Sequence, residues 1–477
     1  MKHCNLLIIT LLLVFAGFCN ADNAANLAEE NAKLKKRVDN LEKELADLKK
    51  IVYRQADIAQ KQPQSQPEPK PQTKPESQLS DMPQLSNSDL QKIYEMIEKK
   101  TDKKKPVWSN LDIQIYGYIK ADASYDTSRT NSGNYVIWVD RENVRTNDSE
   151  FNITANETRL GMKITGPKEN RVKTGGRIEI DFYGGGAENK AKLQLRHAYL
   201  KLDWPEERFS IIAGQTSDVI SPLNPYTLNY TVLWDVGNIG YRRPQLRLTK
   251  SFTCKNNLDV KLDAALTRTI GDDELSSVAG QKSGEDSGFP TFQGRVGFTF
   301  PALGYKPTTV GFSGHWGKEE YDAVSGTTAK SEEFETWSFN VDLTQPVNKY
   351  LTVKGEFFTG ANLDTFFGGI GQGVRSTTAA GVTTYLEEID SKGGWIAVSL
   401  GPWDKWRFNV GAGTDQVDNS DVNAGGRTLN QAVFGNVIYS VNKNTEIGFE
   451  ISQWRTEYKG TGDASNTRAQ TSFIYKF

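Results

Sequence analysis

Cysteine, methionine and histidine are all scarce in this chain of 477 residues, which contains 3 Cys, 4 Met and 3 His. Cys4 and Cys19 lie in a removable leader, so the mature chain keeps only Cys254 and no internal disulfide can form. The formal net charge of -2 lacks the basic excess that is typical of nucleic-acid binding. No stretch after the first 20 residues is long and apolar enough for a membrane-spanning helix. The abundant residues, with 42 Gly, 22 Phe and 18 Tyr, favour strands and turns over packed helices.

The N-terminal quarter of the chain divides into four short segments of different composition. Residues 1–21, with a basic start and an apolar run, are predicted to be a signal peptide. Residues 22–59 carry leucine at every seventh position, which predicts a self-associating coiled coil whose strand number the pattern leaves open. Residues 60–84 form a Pro- and Gln-rich linker, and residues 85–105 a short amphipathic helix. Residues 106–477 then form a single large β domain.

Apolar and charged residues alternate most clearly between residues 171 and 202. Arg177–Phe182 and Lys192–Arg196 each place an apolar side chain at every second position, with charged or polar side chains between them. Because a strand sends successive side chains to opposite faces, each strand has one oily face and one charged face. Such a sheet fits either a soluble sandwich with an oily core or a transmembrane barrel with a charged lumen.

The connections between the strand-like segments discriminate between these two folds. Sixteen such segments are predicted between residues 111 and 477, among them 149–165, 307–319 and 332–345. Short turns alternate with long loops, which is typical of bacterial outer-membrane barrels and has no reason to occur in a soluble sandwich. The sequence therefore predicts an all-β transmembrane barrel of about 16 antiparallel strands, preceded by an N-terminal α-helical coiled coil.

The last strand-like segment ends in an aromatic residue. Phe473, Tyr475 and Phe477 fall on one face of the alternating run Thr471–Phe477. A C-terminal Phe of this kind resembles the signal that the outer-membrane barrel assembly machinery reads. That machinery, through Phe477, and the lipid of the outer membrane are therefore predicted partners.

Six short motifs occur in an order that makes the chain similar to a known family. They are Ile115–Asp122, Thr158–Lys163, Gly176–Phe182, Leu195–Tyr199, Ala213–Gln215 and Arg242–Arg247. The chain resembles the DcaP-like trimeric outer-membrane porins, most clearly over residues 111–250. The resemblance implies a sixteen-stranded barrel, a homotrimer, a periplasmic coiled coil and passage of small anionic solutes such as dicarboxylates. Asp218 and Val219 stand where the family pattern leads us to expect an aromatic-containing segment, and this departure bears on the choice of solute.

Parity along the strands assigns side chains to the lumen. Ile113, Ile115 and Ile119 are assigned to the lipid-facing side, which turns Lys120 inward, and the same reasoning applies to the following strands. The predicted pore-lining residues are Lys120, Arg159, Arg177, Arg196, Arg243, Arg247, Glu179 and Asp181. Clustered lumen arginines concentrate anions and select against cations. The alternative is a neutralising lattice of arginines and acids that only stiffens the barrel.

The third long loop, Ser217–Gly240, is unusually apolar and aromatic. It contains Tyr226, Tyr230 and Trp234 with few charges, and such a loop is poorly suited to external water. Folded into the lumen, it would narrow a pore that a barrel of this strand number otherwise leaves open. The sequence thus predicts a constriction loop. The alternative places these side chains at a trimer interface or at the outer rim.

The residues that remain after signal cleavage give little support to an enzyme. Parity assigns His197 to the lipid-facing side, away from any nucleophile. No Cys and His spacing suits a metal, and the run Gly368–Gly373 lacks the spacing of a phosphate loop, which favours an external loop. The sequence therefore predicts neither a catalytic site nor a cofactor nor a metal.

The predicted function is passive diffusion of small, anionic solutes through an arginine-lined pore that residues 217–240 constrict. The predicted location is the outer membrane of a Gram-negative-type bacterium, with the coiled coil in the periplasm. Three alternatives stay open. They are an envelope tether whose coiled coil contacts peptidoglycan, a barrel enzyme that uses His197 for lipid hydrolysis, and a general, cation-preferring or sugar-preferring pore.

Overall fold

The computed structural model describes residues 111–142, 148–169, 171–185, 191–270, 283–325, 328–379 and 382–477. The predicted signal peptide, coiled coil, linker and amphipathic helix lie outside the described residues. In the part of the chain that is described, no helix has the length and apolar character needed to cross a membrane.

Strands make up most of the described residues. They are β1 (Asp112–Asp126), β2 (Glu150–Thr154), β3 (Arg159–Glu169), β4 (Val172–Asp181), β5 (Gln194–Trp204), β6 (Phe209–Ser217), β7 (Arg242–Thr253), β8 (Asp259–Thr267), β9 (Thr291–Phe300), β10 (Thr308–Ser325), β11 (Thr328–Pro346), β12 (Leu351–Ala361), β13 (Val374–Ala379), β14 (Val382–Glu388), β15 (Asp390–Trp403), β16 (Trp406–Val417), β17 (Arg427–Ser440), β18 (Thr445–Tyr458) and β19 (Gly462–Lys476). A one-turn helix, α1, spans Ser283–Asp286, and 3-10 turns span Lys255–Asn257 and Asp364–Phe366.

The sheet closes on itself through its first and last strands. β1 pairs antiparallel with β19, from Tyr118 opposite Lys476 to Asp126 opposite Arg468. On its other edge, β1 pairs with β2 along one half of its length and with β3 along the other half, so β2 and β3 together occupy one strand position in the barrel wall. The 17 strands of the described sheet therefore occupy sixteen strand positions around the barrel. The predicted antiparallel barrel is confirmed. Both termini of the barrel lie at one rim, here called the terminal rim, and the opposite rim is the loop rim.

The outer face of the barrel is apolar and its interior is polar, which is the reverse of the arrangement in a soluble domain. On β1 the side chains of Ile115 and Ile119 are 70% and 54% exposed, while those of Lys120 and Asp122 are 3% and 5% exposed. The period of two along the strand produces this sorting, because alternate residues face lipid and lumen. Strict alternation is the reason that the sequence pattern predicts the barrel so directly.

Two parts of the chain depart from the predicted loops. β10 and β11 continue as one long hairpin beyond the predicted ends at residues 319 and 332. The connection from β12 to β15 contains the small hairpin β13–β14. The composition of Gly368–Gly373 predicts an external loop, and this prediction is wrong. The run folds inward and buries Ile370 completely against Ile389 and Val417.

A β-bulge corrects the predicted position of His197. Glu179 lies opposite His197 and Ile180 lies opposite Leu195, so Arg196 is an extra residue in β5. The bulge turns both Arg196 and His197 inward, each 9% exposed, and His197 Nδ1 lies 3.0 Å from Thr216 Oγ1. The prediction that His197 faces lipid is therefore wrong, because parity fails where one strand carries an extra residue.

Candidate channel constriction

The connection from β6 to β7, Asp218–Tyr241, folds into the lumen and reaches the far side of the barrel. We call it the inward segment. On the far wall, Glu356 of β12 accepts a 2.8 Å hydrogen bond from the backbone N–H of Leu223. Glu450 of β18 accepts a 2.7 Å bond from the backbone N–H of Leu228. Backbone groups that leave external water are thus satisfied by lumen side chains, which makes the crossing energetically acceptable.

The middle of the inward segment is held in an unusual backbone conformation. Val232, Leu233 and Asp235 have φ angles of 48°, 65° and 57°, in the left-handed region that residues other than glycine seldom adopt and that β-branched residues such as Val232 adopt least. The surrounding structure maintains it. The Asn238 side-chain amide donates to the Val232 carbonyl at 2.7 Å, and the Asp235 N–H donates to the Phe367 carbonyl at 2.9 Å. This conformation costs free energy and persists only because the neighbouring contacts determine it.

A second stretch, Asn362–Gly373, packs against the inward segment. The Gly240 N–H donates to the Phe366 carbonyl at 2.7 Å, and Phe366 and Leu363 join Ile220 in one apolar cluster. The two stretches therefore form one body inside the lumen.

Asp235 is fully buried between these two stretches. Its Oδ1 accepts a 2.9 Å hydrogen bond from the Gly371 N–H. Burial raises the pKa of the Asp235 carboxyl from 3.8 to about 7, although the Arg427 guanidinium opposes this and the Asp364 carboxylate adds to it. Asp235 is therefore a titratable group at the contact between the two inward stretches.

A cavity of about 210 Å³ remains between the inward segment and the side of the barrel formed by β3–β7. Its charged lining comprises Glu157, Arg159, Arg196, Asp218 and Arg242. Its aromatic lining comprises Tyr230, Trp234 and Tyr241. The cavity is thus bounded on one side by guanidinium groups from separate strands and on the other by the aromatic part of the inward segment.

Glu179 of β4 is the hub of the predicted basic wall. The distances from its carboxylate are 2.9 Å to Arg196 Nε and 3.6 Å to Arg159 Nε, and Arg177 also pairs with it. Asp181 adds a 2.7 Å ion pair with Arg196 Nη1. These contacts bring together five of the predicted pore-lining residues, and they include the arginine–acid lattice that was the alternative interpretation. Three guanidinium groups against two carboxylates leave this lattice with an excess of positive charge.

The other three predicted wall residues lie in separate contacts. Lys120 pairs with Glu157 and donates to the Leu228 carbonyl of the inward segment at 2.8 Å. Arg243 is fully buried away from the cavity, where its Nε lies 2.9 Å from Asp218 Oδ1.

Arg247 completes the predicted set and differs from it in having no acidic partner. Its Nε donates to Gln245 Oε1 at 2.8 Å, and its Nη2 donates to the Ser217 carbonyl. Among the described residues no carboxylate lies within ion-pair distance of this guanidinium. Arg247 therefore carries a positive charge that the lattice does not neutralise.

The three predicted constriction residues occupy different places. The Tyr230 hydroxyl donates to Gln194 Oε1 at 3.0 Å and lines the cavity. Trp234 also lines the cavity, with its ring stacked on Phe367 at 4.3 Å and 7°. Tyr226 is half exposed away from the cavity, with Lys354 Nζ 4.5 Å from its ring.

Arg242 is a cavity residue that the sequence reasoning did not include. It stands directly before Arg243 at the first position of β7, so the parity that turns Arg243 inward turns Arg242 outward, whereas both residues are buried. The run of two arginines ahead of Pro244 is the only signal that points to it. Its guanidinium lies 4.6 Å from the Tyr241 ring centroid and 5.7 Å from that of Trp234. In the described part of the chain, no group of three or more His, Cys, Asp or Glu side chains is placed to hold a metal ion.

Comparisons with known proteins agree with the barrel. Residues 78–304 match the family described as DcaP outer membrane protein. A search of the curated proteins found no match. Among solved structures, the outer membrane channel DcaP of Acinetobacter baumannii has a TM-score of 0.61 and 17% identity, covering 77% of this chain and 98% of that chain. At that identity the likeness shows the fold alone.

Two further solved structures are similar at a lower level. An anion-selective porin from Comamonas acidovorans has a TM-score of 0.46 and 11% identity, covering 77% of this chain and 100% of that chain. A trimer form of OmpT from Vibrio cholerae has a TM-score of 0.47 and 9% identity, covering 77% and 99%. Likenesses this weak carry no argument about the site.

Proposed function

The chain belongs with the DcaP outer membrane proteins, whose sequence pattern it carries over residues 78–304, and on this premise we propose that it is a channel for passive diffusion of small anionic solutes. Dicarboxylates are the solute class that the family resemblance implies. The route runs between the inward segment and the wall formed by β3–β7.

One observation carries this proposal, namely the charge balance of the cavity between these two surfaces. Its lining holds three guanidinium groups, those of Arg159, Arg196 and Arg242, against the carboxylates of Glu157 and Asp218. Both carboxylates are already paired, with Lys120 and Arg243, outside the lining. Arg159 and Arg196 likewise pair with Glu179, and Arg196 also pairs with Asp181, so the excess positive charge of the lining is that of Arg242. An excess of fixed positive charge in a narrow aqueous path between low-dielectric walls raises the local concentration of anions.

The assembly around the pore is part of the same proposal. We infer a homotrimer whose predicted coiled coil, residues 22–59, lies in the periplasm, where contact with peptidoglycan is a further hypothesis. The predicted signal peptide, residues 1–21, would direct export. Phe477, the C-terminal aromatic residue, would be read by the barrel assembly machinery. The barrel itself supports the membrane part of this arrangement, because large apolar side chains such as Ile115, Ile396 and Phe473 are exposed on its outer face.

The reversal potential of the full mature chain in a planar bilayer, under a potassium chloride gradient, tests the proposed selectivity. We expect chloride to be preferred over potassium. Arg247→Glu should reduce this preference severalfold, because the Arg247 guanidinium has no acidic partner and its reversal changes the lumen field directly. Arg196→Glu is a poor test, since it would leave Glu179 and Asp181 facing a third carboxylate.

A matched control makes the same charge change outside the lumen. Arg171 lies in an exposed turn at the terminal rim, where it pairs with Glu206 at 2.8 Å, so Arg171→Glu should leave the reversal potential unchanged. Cation preference in the unmodified protein would overturn the proposed function.

A further inference from the structure

Arg242 differs from the other guanidinium groups of the cavity in having two buried nitrogens without a partner. Its side chain is 6% exposed, and within the described residues neither Nε nor Nη2 donates a hydrogen bond to any atom. A buried charge without a counter-charge is costly, so such groups are rare unless a partner arrives from outside the chain. Nε and Nη2 belong to the same edge of the planar guanidinium.

Asp218, a carboxylate that lines the same cavity, is unable to serve as that partner. Asp218 Oδ1 lies 2.9 Å from Arg243 Nε and accepts a 2.8 Å hydrogen bond from Gln293 Nε2. Asp218 Oδ2 accepts a 2.8 Å bond from the Tyr241 N–H. Both oxygens are therefore already engaged.

Asp181, which contacts the cavity residues Arg196 and Tyr230, is also engaged. Its Oδ2 accepts bonds from Arg196 Nη1 at 2.7 Å and from the Tyr230 hydroxyl at 3.3 Å. Its Oδ1 accepts a 3.2 Å bond from the Tyr183 N–H. Other donors thus occupy the oxygens of Asp218 and Asp181, and neither carboxylate pairs with Arg242.

Aromatic rings keep the Arg242 side chain in position. The Tyr241 and Trp234 rings lie 4.6 Å and 5.7 Å from its guanidinium carbon. Trp234 is itself fixed by stacking on Phe367. These contacts hold the guanidinium in the manner of a cation–π pair, and none of them engages Nε or Nη2 in a hydrogen bond.

We propose that this edge of Arg242 is a discrete binding site for one carboxylate group of a passing solute. The inference rests on the proposed function and deepens it, since it names a stationary site in place of a diffuse positive field. A carboxylate matches the site because its two coplanar oxygens accept two parallel N–H bonds from one guanidinium edge. Chloride presents a single atom to the same edge and so lacks the two-oxygen match to its pair of N–H groups.

Block of the chloride current by acetate tests the site in the full mature chain. Acetate should reduce the current of the unmodified protein with a saturable dependence on its concentration. In Arg242→Lys, which keeps the positive charge and loses the two-donor edge, the half-blocking concentration should rise about tenfold. Tyr241→Leu, which removes one supporting ring, should shift it in the same direction by a smaller factor. Arg171→Lys at the exposed turn is the matched control and should leave it unchanged.

The outcomes separate this inference from the function beneath it. Non-saturating block, or equal half-blocking concentrations in Arg242→Lys and the unmodified protein, overturns the discrete site even when the pore prefers anions. If Arg242→Lys does not assemble, the Tyr241→Leu comparison decides in the same way. Cation preference in the unmodified protein, by contrast, removes the proposed function and the site together.

Discussion

Asp235 shows how a single buried carboxyl links the two inward stretches of the chain. It accepts a hydrogen bond from Gly371, and it is faced by Arg427 of β17, Asp415 of β16 and Asp364 of the second stretch. Because burial raises the pKa of Asp235 to about 7, the folded protein binds a proton between about pH 4 and pH 7 that the unfolded chain releases. This group therefore makes the folded state less stable as the pH rises through that range.

Asp235→Asn should remove this pH dependence while keeping an oxygen that accepts from the Gly371 N–H. At pH 8 the variant no longer has to bury an ionised carboxylate. Its unfolding temperature should rise by about 2–4 °C for each kcal/mol by which this change stabilises the folded state. At pH 4 the two proteins should unfold at nearly the same temperature, because Asp235 is then neutral. Thermal unfolding in detergent at both pH values measures this, with Asp404→Asn in an exposed turn as the control. A gain of equal size at both pH values would contradict the titration of Asp235.

At the level of single residues, the sequence predicts orientation well wherever the strand is regular. Lys120 and Asp122 are buried inside β1, where alternation is unbroken. His197 was placed wrongly because a bulge is visible only in the pairing of β5 with β4. Parity misses Arg242, because it turns Arg243 inward and its neighbour outward, whereas both are buried where β7 begins. The roles assigned to the pore-lining residues remain proposals.

Among the elements, the inward segment behaves as a bridge between opposite walls. Glu450 Oε2 accepts hydrogen bonds from the Leu228 N–H at 2.7 Å and from Asn436 Nδ2 at 2.9 Å. Glu450 Oε1 accepts a weaker 3.4 Å bond from the Asn229 N–H. With Glu356 farther along the far wall, this carboxylate holds the part of the segment that lies farthest from β6 and β7.

Glu450→Ala should release this part of the inward segment. It leaves two backbone N–H groups without an acceptor, at a cost of about 1.5–3 kcal/mol for each charge-assisted bond. We expect a larger single-channel conductance and faster swelling of proteoliposomes in uncharged sugars. Glu450→Gln, which retains one acceptor oxygen, should give an intermediate result.

Glu446→Ala serves as the control for this experiment. Glu446 lies on the same strand toward the terminal rim, where it pairs with Arg407 and Lys476. Its removal should not change sugar flux. Equal conductance in Glu450→Ala and the unmodified protein would mean that Glu450 does not control the position of the segment.

Sequence reasoning predicted an inward third loop from its aromatic content, and it could not predict the far-wall partners. Leu228 and Glu450 are separated by 222 positions, so their contact depends on the closure of the whole barrel. The hairpin β13–β14 was missed for a related reason. Its short strands pack Tyr385 against Tyr321 and Phe334, which are distant in sequence, and carry little alternation of their own.

For the whole molecule, the strands from Asp112 to Lys476 contain the complete closed sheet. Deleting residues 22–110, with the signal peptide kept, should therefore leave a barrel that conducts with unchanged ion preference. Conductance in planar bilayers measures the pore, and sensitivity of the cells to detergent measures envelope integrity. Failure of the envelope with persisting solute flux would favour the tether interpretation. Loss of conductance from correctly inserted protein would show that the deleted residues form part of the pore.

The inward segment is fastened to the far wall mainly by its own peptide groups. The N–H of Leu223 and that of Leu228 donate to wall carboxylates, and the carbonyl of Tyr226 accepts from Asn436. Anchoring of this kind does not depend on which side chains the segment carries. Natural variation can therefore exchange the side chains that contact the solute while the backbone of the segment keeps its path across the barrel. Selectivity could then diverge among such proteins without a change of fold.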